Sequence, residues 1–217
     1  MVDVKERIAK RVALEFNDGD VVNLGIGLPT MVANYIPEGV DIILQSENGI
    51  MGMGPEPERG YENKDIINAG AQHVTVNENA AFLDSATSFG LIRGSHVDVT
   101  VLGALEVDRY GNLSNWIIPG KLVPGMGGAM DLVVGAKKVI IAMLHTQKGK
   151  PKILDRCTLP YTAVHVIDKI ITEMGVMEIQ NEQIVLTEIN TDYSIDDIQK
   201  ATGCKIIVSK NLRKMDT

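Results

Sequence analysis

The sequence predicts an α/β protein with an open, mostly parallel sheet and helices on both faces. Residues 20–44 show the order strand, glycine turn, helix and strand, which is a βαβ unit. An alternating strand is expected at residues 97–102 and a buried strand at residues 138–143. The chain has 217 residues, of which 45% are hydrophobic, so it is long enough to bury one core. Because no repeat, linker or low-complexity tract interrupts it, we assign residues 1–217 to a single domain.

Charge and cysteine content argue against several classes of protein. The formal net charge of −7 argues against nucleic acid or an anionic membrane as a partner. Cys157 and Cys204 match no metal-ligand spacing and the four histidines are scattered, so no metal is expected. No apolar run approaches the length of a membrane span, and residues 2–7 are charged rather than signal-like. We therefore expect a cytoplasmic protein with reduced thiols.

The most informative stretch is Leu44–Gly52, where a buried strand ends in a tight turn. Asn48-Gly49 is a strong turn dipeptide, because both residues tolerate positive φ. Glu47 therefore lies at the carboxyl end of a strand, where ligands bind in open α/β sheets. Gly52 and Gly54 add no side chains that would block its approach. The alternative is a hairpin in which Glu47 merely faces solvent.

The remaining elements follow from periodicity and from turn residues. The pattern predicts helices at residues 3–18 and 30–36, a strand at 20–24, a strand at 40–44, a loop at 52–60, short strands at 65–70 and 73–76, a turn and strand at 111–116, a glycine-dense loop at 125–131 and a last strand at 205–208. Residues 80–91 are ambiguous between helix and loop. Ser194 with Asp197 forms a capping-box start for a helix that ends at Gly203.

Several chemistries are compatible with parts of this pattern. Gly25-Ile26-Gly27 follows a strand, and Glu47 lies about 20 residues further on, as a ribose-binding acid would in a dinucleotide fold. However, Thr30 stands where that fold has its third glycine, which weakens the match. A cysteine nucleophile is disfavoured, since neither thiol lies in a glycine turn. Paired carboxylates remain open, because Glu56 and Glu58 are near Glu47 in sequence.

A set of motifs extends from the first helix to residue 210. They are Asn23-Leu24-Gly25-Ile26-Gly27-Leu28-Pro29, Gln45-Ser46-Glu47-Asn48-Gly49-Ile50, Asn68-Ala69-Gly70, Ile92-Arg93-Gly94, Asn115-Trp116-Ile117-Ile118-Pro119-Gly120-Lys121, Gly125-Met126-Gly127-Gly128-Ala129-Met130-Asp131 and Lys152-Ile153-Leu154-Asp155-Arg156-Cys157-Thr158-Leu159-Pro160. Together they resemble family I CoA-transferases, specifically the B (β) subunit of 3-oxoacid CoA-transferases. This family takes part in ketone-body and short-chain fatty-acid metabolism.

The resemblance implies a role for each matched site residue. Glu47 corresponds to the family's covalent nucleophile, which forms a glutamyl-CoA thioester in a ping-pong reaction. Gly128 corresponds to the residue whose backbone N–H stabilises the oxyanion. Asn23, Asn48 and the Gly25–Gly27 turn resemble the pocket around the thioester and the pantetheine arm. Coenzyme A is then a substrate, and no permanently bound cofactor is expected.

The resemblance also implies a partner. The chain has no Gly-Gly-Phe loop of the kind found in the family's A half, so we expect a homologous A (alpha) subunit in an A2B2 heterotetramer. Met51, Met53 and Pro55 are expected on a loop that meets this partner. Ala71 stands where animal relatives have a lysine, so that lysine's role does not transfer. An acyl-CoA hydrolase and a non-catalytic nucleotide-binding module are the alternatives, and the acid (acetoacetate, butyrate, succinate or 3-oxoadipate) stays open.

Overall fold

A ten-stranded sheet forms the centre of the structure, a computed structural model that describes residues 3–216. The helices are α1 (Val4–Ala13), α2 (Ser85–Arg93), α3 (Ala129–Gly135) and α4 (Ile195–Ala201), with a 3₁₀ helix at Leu28–Tyr35. The strands are β1 (Val21–Leu24), β2 (Ile43–Ser46), β3 (Ile50–Met53), β4 (Val76–Phe82), β5 (Val99–Leu102), β6 (Glu106–Asp108), β7 (Leu113–Ser114), β8 (Lys138–Ala142), β9 (Thr146–Gln147), β10 (Lys150–Pro151), β11 (Ile153–Leu154), β12 (Lys169–Ile171), β13 (Gly175–Gln180), β14 (Gln183–Ile189) and β15 (Ile206–Lys214).

The strand order in the main sheet is β15-β14-β13-β12-β8-β5-β1-β2-β3-β4. Its central strands, from β12 to β2, are all parallel to one another. On one side, β13 and β14 extend the sheet by antiparallel pairing, and the edge strand β15 pairs in parallel with β14. On the other side, β3 and the edge strand β4 pair antiparallel. Two small sheets, β9-β10 and β11-β6-β7, lie apart from it. The predicted α/β class with a mostly parallel sheet is confirmed.

Both faces of the sheet are covered by helices, as predicted. Successive residues of a strand point to opposite faces, so Ile140 and Ile141 of β8 enter two different cores. On the first face, Ile140 packs in a cluster with Ile8 of α1. On the second face, Ile141 packs in a cluster with Ile92 of α2 and Leu132 of α3. Full burial of each such side chain contributes about 1.5–3 kcal/mol to folding.

A buried group of ion pairs links α1 and the residues just after it to strands of the main sheet. Glu15 accepts hydrogen bonds from Lys138 at 2.6 Å and from Lys169 at 2.8 Å, and Arg11 lies 2.9 Å away. Arg11 also contacts Glu188 of β14 at 2.6 Å. Burial by itself would raise the pKa of Glu15, but the two lysines outweigh it and lower this pKa to about 2.

Several predicted boundaries differ from the structure in the first half of the chain. The strand predicted at residues 40–44 is β2 at Ile43–Ser46. Asp41 is held outside the sheet, because its N–H donates to the Asp18 carboxylate and its C=O accepts from the Gly19 N–H. The helix predicted at 30–36 is the 3₁₀ helix Leu28–Tyr35. Its first turn includes a proline, and Thr30 donates through both its N–H and its hydroxyl to Gly27 O.

The region after β2 differs more. The loop predicted at residues 52–60 begins later, because β3 extends over Ile50–Met53. The prediction of two short strands at 65–70 and 73–76 is wrong. A single bridge between Ile67 and His73 replaces them, and the strand here is β4. Its polar, mostly exposed residues hid it from pattern analysis. Residues 80–91 resolve into the end of β4 followed by α2, and the capping box of α4 is confirmed.

Candidate active site

Glu47 lies in a hairpin turn at the carboxyl end of a parallel strand. Ser46 of β2 pairs with Ile50 of β3, so residues 47–49 form the turn between them. Gly49 is required there: its φ is +115°, and a Cβ atom on it would lie 2.1 Å from Leu83 O. The hairpin alternative is therefore correct about local structure. However, Glu47 is half-buried and lines a cavity instead of merely facing solvent.

The second glycine loop comes close to the Glu47 carboxylate. Gly128 is the N-cap of α3, and a Cβ atom on it would lie 3.1 Å from Glu47 Cγ and 3.3 Å from both Cδ and Oε1. A Cβ atom on Gly127 would lie 3.9 Å from Oε1. The structure thus brings Glu47 and Gly128, which are far apart in sequence, so close together that residue 128 has no free space for a side chain. The absence of a side chain at residue 128 is what permits this approach.

Asn23 is the second neighbour of the Glu47 carboxylate and is almost completely buried, with 1% of its surface exposed. Its Nδ2 atom lies 3.3 Å from Glu47 Oε2. The same nitrogen donates to the side-chain Oε1 of Gln45 at 2.8 Å and to the backbone O of Gln45 at 3.1 Å. Asn23 therefore presents an amide donor to the carboxylate from a fixed position at the end of β1.

Gln45 and Ser88 extend this group of polar side chains, and sequence analysis missed both. Gln45 Nε2 donates to Ser88 Oγ of α2 at 3.1 Å. Both residues are buried, with 1% and 0% of their surfaces exposed. One signal was available in the sequence: Gln45 is a polar residue in an apolar strand, two positions before Glu47. Side chains two apart in a strand share a face of the sheet.

A cavity of about 570 Å³ opens beside Glu47. Its wall consists of Asn23, Leu24, Gly25, Ile26, Thr30, Gln45, Ser46, Glu47, Met53, Asn68, Ala69, Gly70, Leu102, Gly103, Ala104, Leu105, Asn115, Pro124, Gly125, Met126, Gly127, Ala129 and Leu132. The carboxyl ends of β1, β2 and β5 and both glycine loops contribute to this wall. Glu47 carries the only ionisable side chain among these lining residues.

The predicted binding residues take different positions relative to this cavity. Asn23 and Gly25 belong to the wall, and Gly25 is packed so closely that a Cβ atom would lie 2.9 Å from Leu102 Cδ2. Within the described residues, Gly27 and Asn48 lie outside the wall. Asn48 instead donates from Nδ2 to Ile67 O at 2.7 Å, which ties the 65–75 loop to the Glu47 turn.

The other candidate groups lie away from the Glu47 cavity. Burial raises the pKa of the Cys157 thiol to about 12 and that of Cys204 to about 11, which suppresses thiolate formation. Glu56 and Glu58 are exposed and do not join Glu47 in the cavity wall.

Residues 3–216 contain neither a cluster of metal ligands nor a helix suited to span a membrane. Within that range, no cluster of three or more histidine, cysteine or acidic side chains could hold a metal ion. In the same part of the chain, no helix has both the length and the apolar character needed to cross a membrane.

Comparison with known proteins places the chain in a family. The family model described as coenzyme A transferase matches residues 5–201. The chain is 53% identical over 212 residues to the beta subunit of the acetate CoA-transferase of Escherichia coli K12, covering 97% of each chain. It is also 46% identical over 213 residues to the B subunit of a probable succinyl-CoA:3-ketoacid coenzyme A transferase of Bacillus subtilis, covering 98% of this chain and 99% of the relative.

Solved structures show the same fold. One of them is an acyl-CoA transferase of E. coli O157:H7 in a thioester complex with CoA, with a TM-score of 0.76 and 25% sequence identity. The match covers 100% of this chain and 44% of that longer chain. The chain belongs to the coenzyme A transferase family, and within it to the family I B (beta) subunits of the 3-oxoacid type.

Proposed function

We propose that this chain moves CoA between a short-chain acyl-CoA and a 3-oxoacid such as acetoacetate, through a glutamyl-CoA thioester on Glu47. The proposed CoA donor is succinyl-, butyryl- or acetyl-CoA. One observation carries the proposal: Glu47 lies in the cavity wall, its carboxylate is 3.3 Å from the Asn23 amide nitrogen, and Gly128 leaves no room for a side chain beside it. A carboxylate anion is itself a nucleophile, so Glu47 can attack without a general base.

The proposed reaction proceeds by acyl and thioester exchange. Glu47 attacks the thioester carbonyl, and CoA leaves as its thiolate, which gives a mixed anhydride. The thiolate then attacks the Glu47 carbonyl and releases the first carboxylate, leaving a glutamyl-CoA thioester. A second carboxylate attacks this thioester, and the same two steps run in reverse. Each bond formed resembles the bond broken in energy, so no further energy source is needed.

Each addition step places negative charge on an oxygen, which requires hydrogen-bond donors. We assign the Gly128 N–H as one donor, because residue 128 is close to the carboxyl group that becomes tetrahedral: a Cβ atom on it would lie 3.3 Å from Glu47 Cδ. Losing one donor of this kind typically costs about 3–4 kcal/mol of barrier. Asn23 is well placed to hold the carboxylate before attack.

Binding of CoA is assigned to the same edge of the sheet. Asn23 and Gly25 in the cavity wall would contact the reacting thioester. Gly27 and Asn48 lie just beyond this wall, so we assign them to the pantetheine arm or to loop support. Gly25 and Gly27, on either side of Ile26, offer backbone without side chains, which lets a narrow chain pass close to them.

The partner in this proposal is a homologous A subunit, in an A2B2 assembly. Both curated relatives described above carry subunit names, and the solved acyl-CoA transferase has more than twice the length matched by this chain. Three apolar side chains in or next to the cavity wall are exposed. Ile26 belongs to the wall and is 69% exposed, and Leu122 and Val123, which precede Pro124 of the wall in sequence, are 51% and 65% exposed. A partner that covers this mouth would exclude water, which otherwise hydrolyses activated intermediates.

The sequence-based prediction for the partner contact needs one correction. Met51 and Met53 do not lie on a loop, because both belong to strand β3. Only Pro55 lies in the loop that follows, and it is exposed. Met51 pairs with Gln45 of β2 and Ala81 of β4, and Met53 pairs with Val76 of β4.

The test uses the assembled enzyme, with this chain and its A subunit together. Incubation with acetyl-, butyryl- or succinyl-CoA without an acceptor, followed by borohydride, converts a glutamyl thioester to an alcohol. Peptide mass spectrometry should find this change at Glu47, and Glu47→Gln should abolish it while the protein stays folded. Glu56→Gln, in an exposed loop, is the matched control and should transfer CoA normally. Modification at Cys157, or full activity of Glu47→Gln, would overturn the proposal.

A further inference from the structure

We propose that Gln45 and Ser88 are positioning residues that hold the Asn23 amide in the orientation needed to donate to Glu47. This inference rests on the proposed function of Glu47. It concerns a chain of hydrogen bonds that runs from α2 through β2 and β1 to the carboxylate. Neither residue has to contact the reacting thioester for this role.

The orientation of the Asn23 amide follows from which atoms can only accept. The backbone O of Gln45 and the Glu47 carboxylate are obligatory acceptors, and both lie within 3.3 Å of the same terminal atom of Asn23. That atom must be the nitrogen. The side-chain atom of Gln45 that lies 2.8 Å from it must then be the oxygen. The Gln45 nitrogen consequently faces Ser88 Oγ, which accepts from it at 3.1 Å.

The arrangement leaves one buried acceptor unsatisfied. Among the described residues, Asn23 Oδ1 has no hydrogen-bond partner, although a buried polar atom without one typically costs about 1–3 kcal/mol. The reverse orientation would place this oxygen against three other oxygens, which is worse. The acceptors around the nitrogen therefore determine the orientation, and Gln45 supplies two of these three acceptors.

The balance of hydrogens explains why Gln45 matters for the reaction. The Asn23 nitrogen has two hydrogens for three acceptors, and its contact with Glu47 is the longest of the three, at 3.3 Å. The side chain of Gln45 holds one hydrogen and turns the other towards the carboxylate. Without this side chain, Asn23 keeps the Gln45 backbone O and the Glu47 carboxylate as acceptors but loses the shortest of its three contacts, so its amide is held less firmly beside Glu47. A small misplacement of a reacting group can cost roughly 100-fold in rate.

Three variants and one control separate positioning from general support of the fold. Gln45→Met removes both side-chain hydrogen bonds at similar size, and Ser88→Ala removes only the far end of the chain. Gln45→Glu can still accept from Asn23 and can accept from the Ser88 hydroxyl, but it adds negative charge near Glu47. Thr100→Val is the control, because Thr100 is buried on β5 beside Asn23 and its hydroxyl has no partner within residues 3–216.

The measurement is the single-turnover rate of Glu47 acylation in the assembled enzyme, with KM for the acyl-CoA and the melting temperature. Gln45→Met should slow acylation roughly 10- to 100-fold, with KM nearly unchanged. Ser88→Ala should slow it about threefold to tenfold, the size of one neutral hydrogen bond. Thr100→Val should acylate at the wild-type rate. Gln45→Glu should recover part of the rate that Gln45→Met loses, because its carboxylate still accepts from the Asn23 nitrogen.

The possible failures can be told apart. If borohydride labels no residue or a residue other than Glu47 in the unmodified enzyme, the proposed function itself is wrong. If Glu47 is labelled normally and Ser88→Ala and Gln45→Met acylate at the wild-type rate, only the positioning inference is overturned, even if both variants melt earlier. A loss in Thr100→Val equal to that in Ser88→Ala would also overturn it, since any buried hydroxyl would then have the same effect.

Discussion

Replacing Gly128 by alanine tests whether close backbone approach to Glu47 is essential. Gly128 has φ −83° and ψ 4°, a conformation that alanine adopts without strain, so the chain should fold normally. The new methyl carbon would lie 3.1 Å from Glu47 Cγ and 3.3 Å from Cδ. Since carbon atoms pack best at about 3.5–4.0 Å, the Glu47 side chain must retreat by a few tenths of an ångström or more.

The expected effect is a loss of rate without a loss of stability. Displacement of the carboxylate should reduce the rate of Glu47 acylation roughly 10- to 100-fold. The N–H of residue 128 is retained, so this loss reports on the position of Glu47. Stopped-flow or quenched single-turnover acylation by acyl-CoA gives the rate, and thermal melting gives the stability.

Gly90→Ala is the matched control for this substitution. Gly90 is exposed on α2, and a Cβ atom there meets nothing within 4 Å. Alanine at this helical position should raise stability by about 0.5–1 kcal/mol and leave acylation unchanged. Acylation of the Gly128→Ala enzyme at the wild-type rate would refute the reasoning, because the methyl group would then be accommodated without moving Glu47.

Two further predictions concern stability. Gly49→Ala should lower the free energy of unfolding by about 3–5 kcal/mol, because φ is +115° and the new Cβ would lie 2.1 Å from Leu83 O; Gly60→Ala, with φ +94° and no neighbour within 4 Å, should lose only about 1–2 kcal/mol. Chemical denaturation measures both, and equal losses would count against the clash. Glu15→Gln should cost about 3 kcal/mol at neutral pH, because the pKa of Glu15 is lowered from 4.5 to about 2 in the folded chain. The wild type should lose this advantage as the pH falls from 4.5 through about 2, and a gap that persists below pH 2 would contradict the assignment.

Local sequence signals determined much of the central sheet. The run that became β8 is apolar and buried along most of its length, so its composition alone marks it as an inner strand; alternation at residues 97–102 located β5 but did not predict that all four of its residues are buried. The capping box at Ser194 likewise needs only neighbouring residues. The edge strand β4 could not be predicted in this way, because an exposed edge imposes no hydrophobic pattern and its pairing with β3 is a tertiary contact.

The active site likewise has features that local sequence predicts and features that only tertiary contacts create. The sequence by itself identified Glu47 at a strand end, because a buried run followed by Asn48-Gly49 is a local signal. Motif resemblance identified Gly128, but only the folded chain brings it so close to Glu47 that a Cβ atom there would crowd the carboxylate. The link from Gln45 to Ser88 joins β2 to α2 across 43 positions of sequence. Such contacts depend on how helices pack on the sheet, which no local pattern specifies, so tertiary structure alone decided what surrounds the carboxylate.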